Sequence, residues 1–401
     1  MTEQTLPLDG VTVLELDLGL AQYAGKLMAD LGARVIKVEP PEGAPTRQAP
    51  PHLESGESVP FAHYNTCKRS VVLDPAAPEG RERLHGLIRR ADVLLDGLGP
   101  DGAERLGLTE DVLGVLRPGL VHVAITPFGL TGPWRDLAAC DLVSMALGGV
   151  TAQTGYDSVD GAPARPITPA GGQAAHFAGV LAATYAVAAL NAPRPDKVTI
   201  LDVAVHDAIA VSTEIAVSMW EFGGQTIYRH TGRHAAAPFT TPRWQFRCAD
   251  GRYLCALTLY LNDRRFATIC DWFDAKGFEH DLRDDRFRTE RQRDVRMQEI
   301  VDTIARFCAA FPSDDLFAEA QERAIPWAKV LTPAEIAADE HLHARGFYTD
   351  VEHEDGRRLP YPGMPWTGMP TAFTSATPGR RRRAPRVGED NDLILSTPPT
   401  L

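Results

Sequence analysis

The amino-acid sequence predicts an α/β protein built on a parallel sheet, with a smaller α+β domain inserted late in the chain. Two observations carry this. Over the first half, short apolar runs alternate with helical periodicities, the signature of strand–helix–strand units. Beyond residue 222 the composition turns richer in charge and aromatics, and an antiparallel hairpin signal appears.

Residues 11–16 (VTVLEL) read as a buried strand, and residues 22–32 follow with helical spacing of Tyr23, Leu27, Met28 and Leu31 before a glycine stop. Residues 35–38 are the second strand, which puts the loop 17–21 where parallel sheets bind ligands. The Pro/Gly-rich stretch 40–60 is too long for a connector and is expected to be functional or mobile. Lys68 and Arg69 precede a short strand and read either as a phosphate contact or as an ordinary solvated pair. A helix over 80–90 and a strand over 91–95 lead to a literal GxGxxG at Gly97, Gly99 and Gly102. A pyrophosphate on that turn would meet Asp101 and Glu104, and no acidic residue closes the next strand, 120–126, so no dinucleotide site is expected.

Asp141 opens the apolar segment 142–147, where an acid in the first turn caps a helix. Residues 166–179 form a Pro/Gly-punctuated loop carrying Gln173 and His176 into a small-residue helix that runs to Leu190; a reactive group is often presented at such a junction. A strand over 197–205 and one long helix over 206–222 complete the first part of the large domain. The inserted domain, 223–325, has strands over 243–252 and 253–259 joined at Asp250 and Gly251, then helices over 263–274, 292–310 and 313–322. Residues 326–401 are a linker with a short helix at 333–338 that returns to the large domain, and the cation run 380–383 reads as a solvated tail.

With 44% apolar and 23% charged residues the chain is an ordinary folded protein, and a net charge of −12 argues against nucleic-acid binding. The six cysteines form no CxxC pair and no zinc-type spacing, so no metal site and no disulfide framework are expected. The N-terminus lacks a secretory pattern, and the longest apolar run, 177–190, falls short of the ~20 residues a membrane span needs. A cytoplasmic protein without membrane partners is the expectation.

Taken in order, the segments YAGKLMADLGA (23–33), VIKVEPP (35–41), NTCKRS (65–70), ADVLL (91–95), ERLGL (104–108), FGLTGP (128–133), DGR (250–252), DRF (285–287), ARGF (344–347) and APRVG (384–388) resemble the class III CoA-transferase family. That group includes carnitine-type CoA-transferases, formyl-CoA transferase and α-methylacyl-CoA racemases. The resemblance implies a Rossmann-like large domain built from both chain ends, a small inserted domain, and an interlocked homodimer. It also implies coenzyme A as the substrate thioester, held by residues matching Leu20, Ala21, Gln22, Leu73, Gly97, Leu98, Arg105 and Leu106; the GxGxxG then becomes a loop of the CoA groove.

Members of this family attack the thioester with an aspartate just ahead of an alanine-rich helix, forming a mixed anhydride and then an aspartyl-CoA thioester. Alignment on Gly179 places Ala175 at that position. Gln173, a donor for an oxyanion, His176, an acid or base, and Asp141, the nearest carboxylate in sequence, are the candidate catalytic residues. The racemase histidine is matched by Cys140, which disfavours two-base racemisation, and the glycine-rich loop of the formyl-CoA enzyme is matched by 229–238, with one glycine. The leading expectation is transfer of CoA between carboxylic acids by a non-standard mechanism, with an acyl-CoA and a carboxylate as small-molecule partners. The alternatives are an isomerase or lyase on an acyl-CoA in the same cleft, and a non-catalytic CoA-binding subunit paired in a heterodimer with a paralogue.

Overall fold

Six strands, β1 (Thr12–Asp17), β2 (Arg34–Glu39), β3 (Arg69–Val72), β4 (Val93–Gly97), β5 (Val121–Thr126) and β6 (Thr199–Ala204), form one sheet in the order β3-β2-β1-β4-β5-β6, every neighbouring pair parallel. Because crossovers put helices on both faces, each central strand is buried on both sides, which is why β4 and β5 are buried at every position. The computed structural model describes residues 6–155, 165–193, 196–213, 216–227, 233–234, 243–256, 262–369 and 383–396. The chain divides into two units: Met1–Thr151, Thr168–Glu214 and Glu340–Leu401 form one, and Ala152–Ile167 and Ile215–Asp339 the other.

In the large unit, Val13, Val35, Val93, Leu95, Val121 and Val123 turn to one face of the sheet, against α1 (Gln22–Asp30), α2 (Asp141–Leu147), α3 (Gln173–Asn191) and α4 (Val205–Val211). Leu14, Leu16, Ile36 and Leu94 turn to the other, against the helix Pro78–Ile88. α3 is 19 residues long and apolar enough to cross a membrane by length and composition alone. Its buried face is a small-residue stripe, Ala174, Ala178, Ala182 and Ala186, set in the core of this unit. Gly179 lets α3 close on α1, since a Cβ there would lie 3.0 Å from Tyr23 Cβ.

The α1 face also holds charge. Glu15 and Lys37 stand directly opposite each other in the β1–β2 register, with Nζ and Oε1 2.8 Å apart. Lys68 reaches the same carboxylate at 2.7 Å and also donates to Gln22 O and Asn65 Oδ1. All three side chains are fully buried. Lys68 and Arg69 are therefore neither a phosphate contact nor a solvated pair: the first completes this network and the second pairs with Asp390 at 2.7 Å. Gly25 makes room, because a Cβ there would sit 1.9 Å from Glu15 Oε2.

The second unit has a three-stranded antiparallel sheet, with Tyr253–Ala256 between Gln245–Arg247 and Trp327–Lys329. Trp327, expected in the linker, is the fully buried anchor of the edge strand, next to Trp272 and within the core that holds Phe273 and Phe307. Two long helices expected from sequence are interrupted. The first stops at Val211, where the Ser212 and Thr213 hydroxyls bond back to Ile209 O and Ala210 O, both at 2.7 Å; Ala216–Gly223 is a separate helix. The second divides into Glu290–Val295, begun by a Thr289–Gln292 capping box, and Met297–Ala310, with the break at Arg296. Most of loop 229–238, residues 257–259 and residues 380–382 lie outside the described residues.

Burial alone would raise the Glu15 carboxyl, but the Lys37 and Lys68 ammonium groups overcome it and hold the group down to about 2. A carboxylate depressed below its ordinary 4.5 contributes stability that is complete above that value and is lost as the pH falls toward 2. Glu15→Gln leaves two buried cations short of a counter-charge, so urea unfolding at neutral pH should show a loss of about 3–5 kcal/mol. The variant should also lose less stability than the parent between pH 5 and pH 3; an unchanged midpoint would mean the network is not holding the sheet.

Candidate active site

Asp17 closes β1, and its Oδ1 accepts the N–H groups of Gly19 and Ala21, each at 2.8 Å, which curls the β1–α1 loop over the strand end. Gly97 closes β4 beside it; a Cβ there would stand 2.3 Å from Asp17 Oδ1, so only glycine lets the two ends meet. The other glycines of the GxGxxG serve the same turn: Gly99 has φ +93°, and a Cβ on Gly102 would stand 2.1 Å from Leu98 Cβ. Between β1 and β4 the strand order reverses, the switch point at which open α/β sheets take ligands. A cleft of about 380 Å³ opens there, walled by Leu18, Leu20, Leu98 and Pro127, and closed by Cys140, Asp141, Ala174 and Ala175.

α2 and α3 build the polar end of this cleft. Gly171 and Gly172, with φ of +94° and +71°, turn the chain into α3. The Ala174 N–H then donates to Asp141 Oδ1 at 2.8 Å, so the carboxylate from α2 caps the start of α3. The next N–H, that of Ala175, makes no hydrogen bond among the described residues, and its methyl lines the cleft. Among the described residues, Asp141 is the only carboxylate that lines the cleft. The arrangement offers a carboxylate oxygen and a free N–H at a helix N-terminus, which suits a thioester carbonyl that must accept charge.

Of the other predicted catalytic residues, neither lines the cleft. His176 Nε2 lies 2.7 Å from the Tyr64 hydroxyl, and its ring stands edge-on to Tyr23 with centroids 4.5 Å apart. Burial holds His176 below the ordinary imidazole range, against the opposing pull of Asp141. Gln173 donates to the Ala170 carbonyl at 3.3 Å. Both are occupied in holding the first turn of α3.

Of the expected CoA-binding residues, Leu20, Gly97 and Leu98 line the cleft. Ala21 is buried behind the loop, with its N–H on Asp17, and Gln22 opens α1 with its carbonyl taken by Lys68. Arg105 reaches the Leu98 carbonyl at 3.3 Å from the rim. Leu73 and Leu106 pack with the core on the opposite face of the sheet, and the Leu73 N–H is bonded to Glu39 O, so the structure does not bring these two to the cleft. Sequence reasoning missed Asp17, Ser144 and Val205; Asp17 alone left a signal, an acid at the end of a strand just before a glycine-containing turn. Among the described residues no cluster of His, Cys, Asp or Glu side chains is placed to hold a metal ion.

Comparison with known proteins agrees with this geometry. The family model described as CoA-transferase family III matches residues 8–391. The succinate–glutarate CoA-transferase of Agrobacterium fabrum is 31% identical over 407 residues, covering 99% of this chain and 96% of that protein. The protein named succinyl-CoA:(R)-benzylsuccinate CoA-transferase subunit BbsE, from Thauera aromatica, is 29% identical over 96% of this chain and 92% of its own length. The crystal structure of a CAIB/BAIF family protein from Brucella suis superimposes with a TM-score of 0.83 at 27% identity, over 98% of this chain and 99% of that one. With its parallel sheet, its switch-point cleft and a full-length match, the chain belongs to CoA-transferase family III.

Proposed function

We propose that this protein transfers coenzyme A from an acyl-CoA to a second carboxylic acid in the switch-point cleft, with Asp141 as the carboxylate that carries the acyl group. The supporting observation is the pairing of Asp141 with the first turn of α3, one residue from the methyl of Ala175. Asp141 attacks the donor thioester carbonyl; the Ala175 N–H stabilises the oxyanion, the C–S bond breaks, and a mixed anhydride and CoA thiolate result. The thiolate attacks the Asp141 carbonyl, releasing the donor carboxylate and leaving an aspartyl-CoA thioester. The acceptor carboxylate attacks that thioester in turn, and the returning thiolate takes the acceptor acyl group and frees Asp141.

The unit formed by Ala152–Ile167 and Ile215–Asp339 corresponds in this reading to the family's small inserted domain. The apolar side chains left open on α2, α3 and α4, namely Leu142, Leu147, Phe177, Val180 and Val211, support burial against a second chain in an interlocked dimer. A cytoplasmic setting, where acyl-CoA pools are met, belongs to the same proposal.

A second reading has its own support. Ala175 offers a methyl group to the cleft, and one relative carries the word subunit in its name. The chain would then bind CoA and depend on a paralogue for turnover.

Asparagine caps a helix nearly as well as aspartate but cannot form the anhydride, so Asp141→Asn should fold normally and lose transfer from succinyl-CoA by a factor on the order of 10³ or more. Hydroxylamine added during turnover should mark Asp141 in a peptide map of the parent protein. A mark elsewhere, or full activity in the variant, would sink the covalent role. If the purified chain binds CoA but turns nothing over, the subunit reading stands instead, and Ala175→Asp should then create transfer activity with the hydroxylamine mark at residue 175.

A further inference from the structure

Ser144 lines the cleft and takes no part in the transfer chemistry proposed for Asp141. The residue is only 4% exposed, yet its hydroxyl makes no hydrogen bond among the described residues. A buried hydroxyl left unpaired costs free energy, and a helical serine has a remedy close at hand in the carbonyl one turn back. Thr184, Thr268 and Thr303 take that remedy, donating to Val180 O, Arg264 O and Glu299 O at 2.8, 2.9 and 2.9 Å. Ser144 does not: Cys140 O accepts its backbone N–H, at 2.9 Å, and not its hydroxyl. The hydroxyl is left available to whatever the cleft holds.

Its place on α2 points to the partner. Residues three apart on a helix are neighbours on one face, so Ser144 follows Asp141 by one turn, and both line the cleft. Among the described lining residues Cys140, Asp141 and Ser144 carry the only polar side chains, and Ser144 the only hydroxyl. A carbonyl oxygen brought against Asp141 for attack becomes an oxyanion, whose lone pairs accept more than the single Ala175 N–H.

We propose that the Ser144 hydroxyl donates to the thioester carbonyl oxygen as that oxygen takes up charge, beside the Ala175 N–H, which makes Ser144 a catalytic residue of the cleft. The hydroxyl keeps its proton throughout, and no bond to Oγ forms. This inference rests on the transfer reading for where the carbonyl lies, and two measurements separate them. Ser144→Ala removes a hydroxyl without a partner in the fold, so its melting temperature should match or exceed the parent's. Transfer from succinyl-CoA should fall on the order of 10²-fold in kcat with KM nearly unchanged, the signature of a donor that acts in the transition state. Infrared spectroscopy reads the same contact without turnover. In Asp141→Asn, bound succinyl-CoA isotope-labelled at the thioester carbonyl should show a lowered C=O stretch that moves back up when Ser144→Ala is added. A band that ignores Ser144→Ala, full kcat in that variant, a loss confined to KM, or a lowered melting temperature would each overturn the proposal. If the parent binds the labelled thioester without turning it over and the band still answers to Ser144, the transfer reading falls and the carbonyl contact stands. Failure of every variant to bind succinyl-CoA would remove both.

Discussion

The buried contact of Glu15 with Lys37 and Lys68 is the constraint on which the large unit depends. Ions of this kind cost several kcal/mol each to remove from water, and the cost is recovered only with close partners and fully used hydrogen bonds. Here the partners come from β1, β2 and the turn before β3, so the charges match in one strand register and in no other. A slip of one residue would send Glu15 to the opposite, leucine-lined face. The same network requires α1 to present Gly25 above it, which fixes how α1 lies on the sheet.

From there the constraint reaches the cleft through a short path. Lys37 also stands 3.7 Å from Asp17, whose other oxygen shapes the β1–α1 loop and needs the bare Cα of Gly97. Burial raises the Asp17 carboxyl above its ordinary value despite the Lys37 ammonium, so this carboxylate is held by geometry more than by charge. Gly97 is therefore a packing requirement of a buried acid.

The parallel sheet was legible in the sequence because strands buried on both faces must be apolar runs and the helices between them must show a 3.6-residue period. Charged residues were the weak point. Lys68 and Arg69 look like surface cations, since nothing local says that a carboxylate from residue 15 waits opposite the first and Asp390 opposite the second. The same limit applied at the site. Gln173 and His176 flank the position of Ala175 in sequence, but helical rotation turns His176 toward Tyr64 and Tyr23, and only contacts from α1 and the helix Val59–Tyr64 decide that. Asp141 was legible as a cap; that it caps a different helix was not.

That double position of Asp141 bears on how the family's chemistry could survive the loss of a carboxylate from α3. A helix N-terminus stabilises a nearby negative charge by about 0.3–1 kcal/mol, so the cap favours the resting carboxylate. In the proposed attack the charge leaves Asp141, so its bond from the Ala174 N–H weakens toward the transition state and does not speed the reaction. Among the described residues the Ala175 N–H makes no hydrogen bond. In the proposed mechanism it is the second donor, not the first, that would give a differential stabilisation: one amide of the helix turn holds the carboxylate in place and the next would favour the charge that its attack creates.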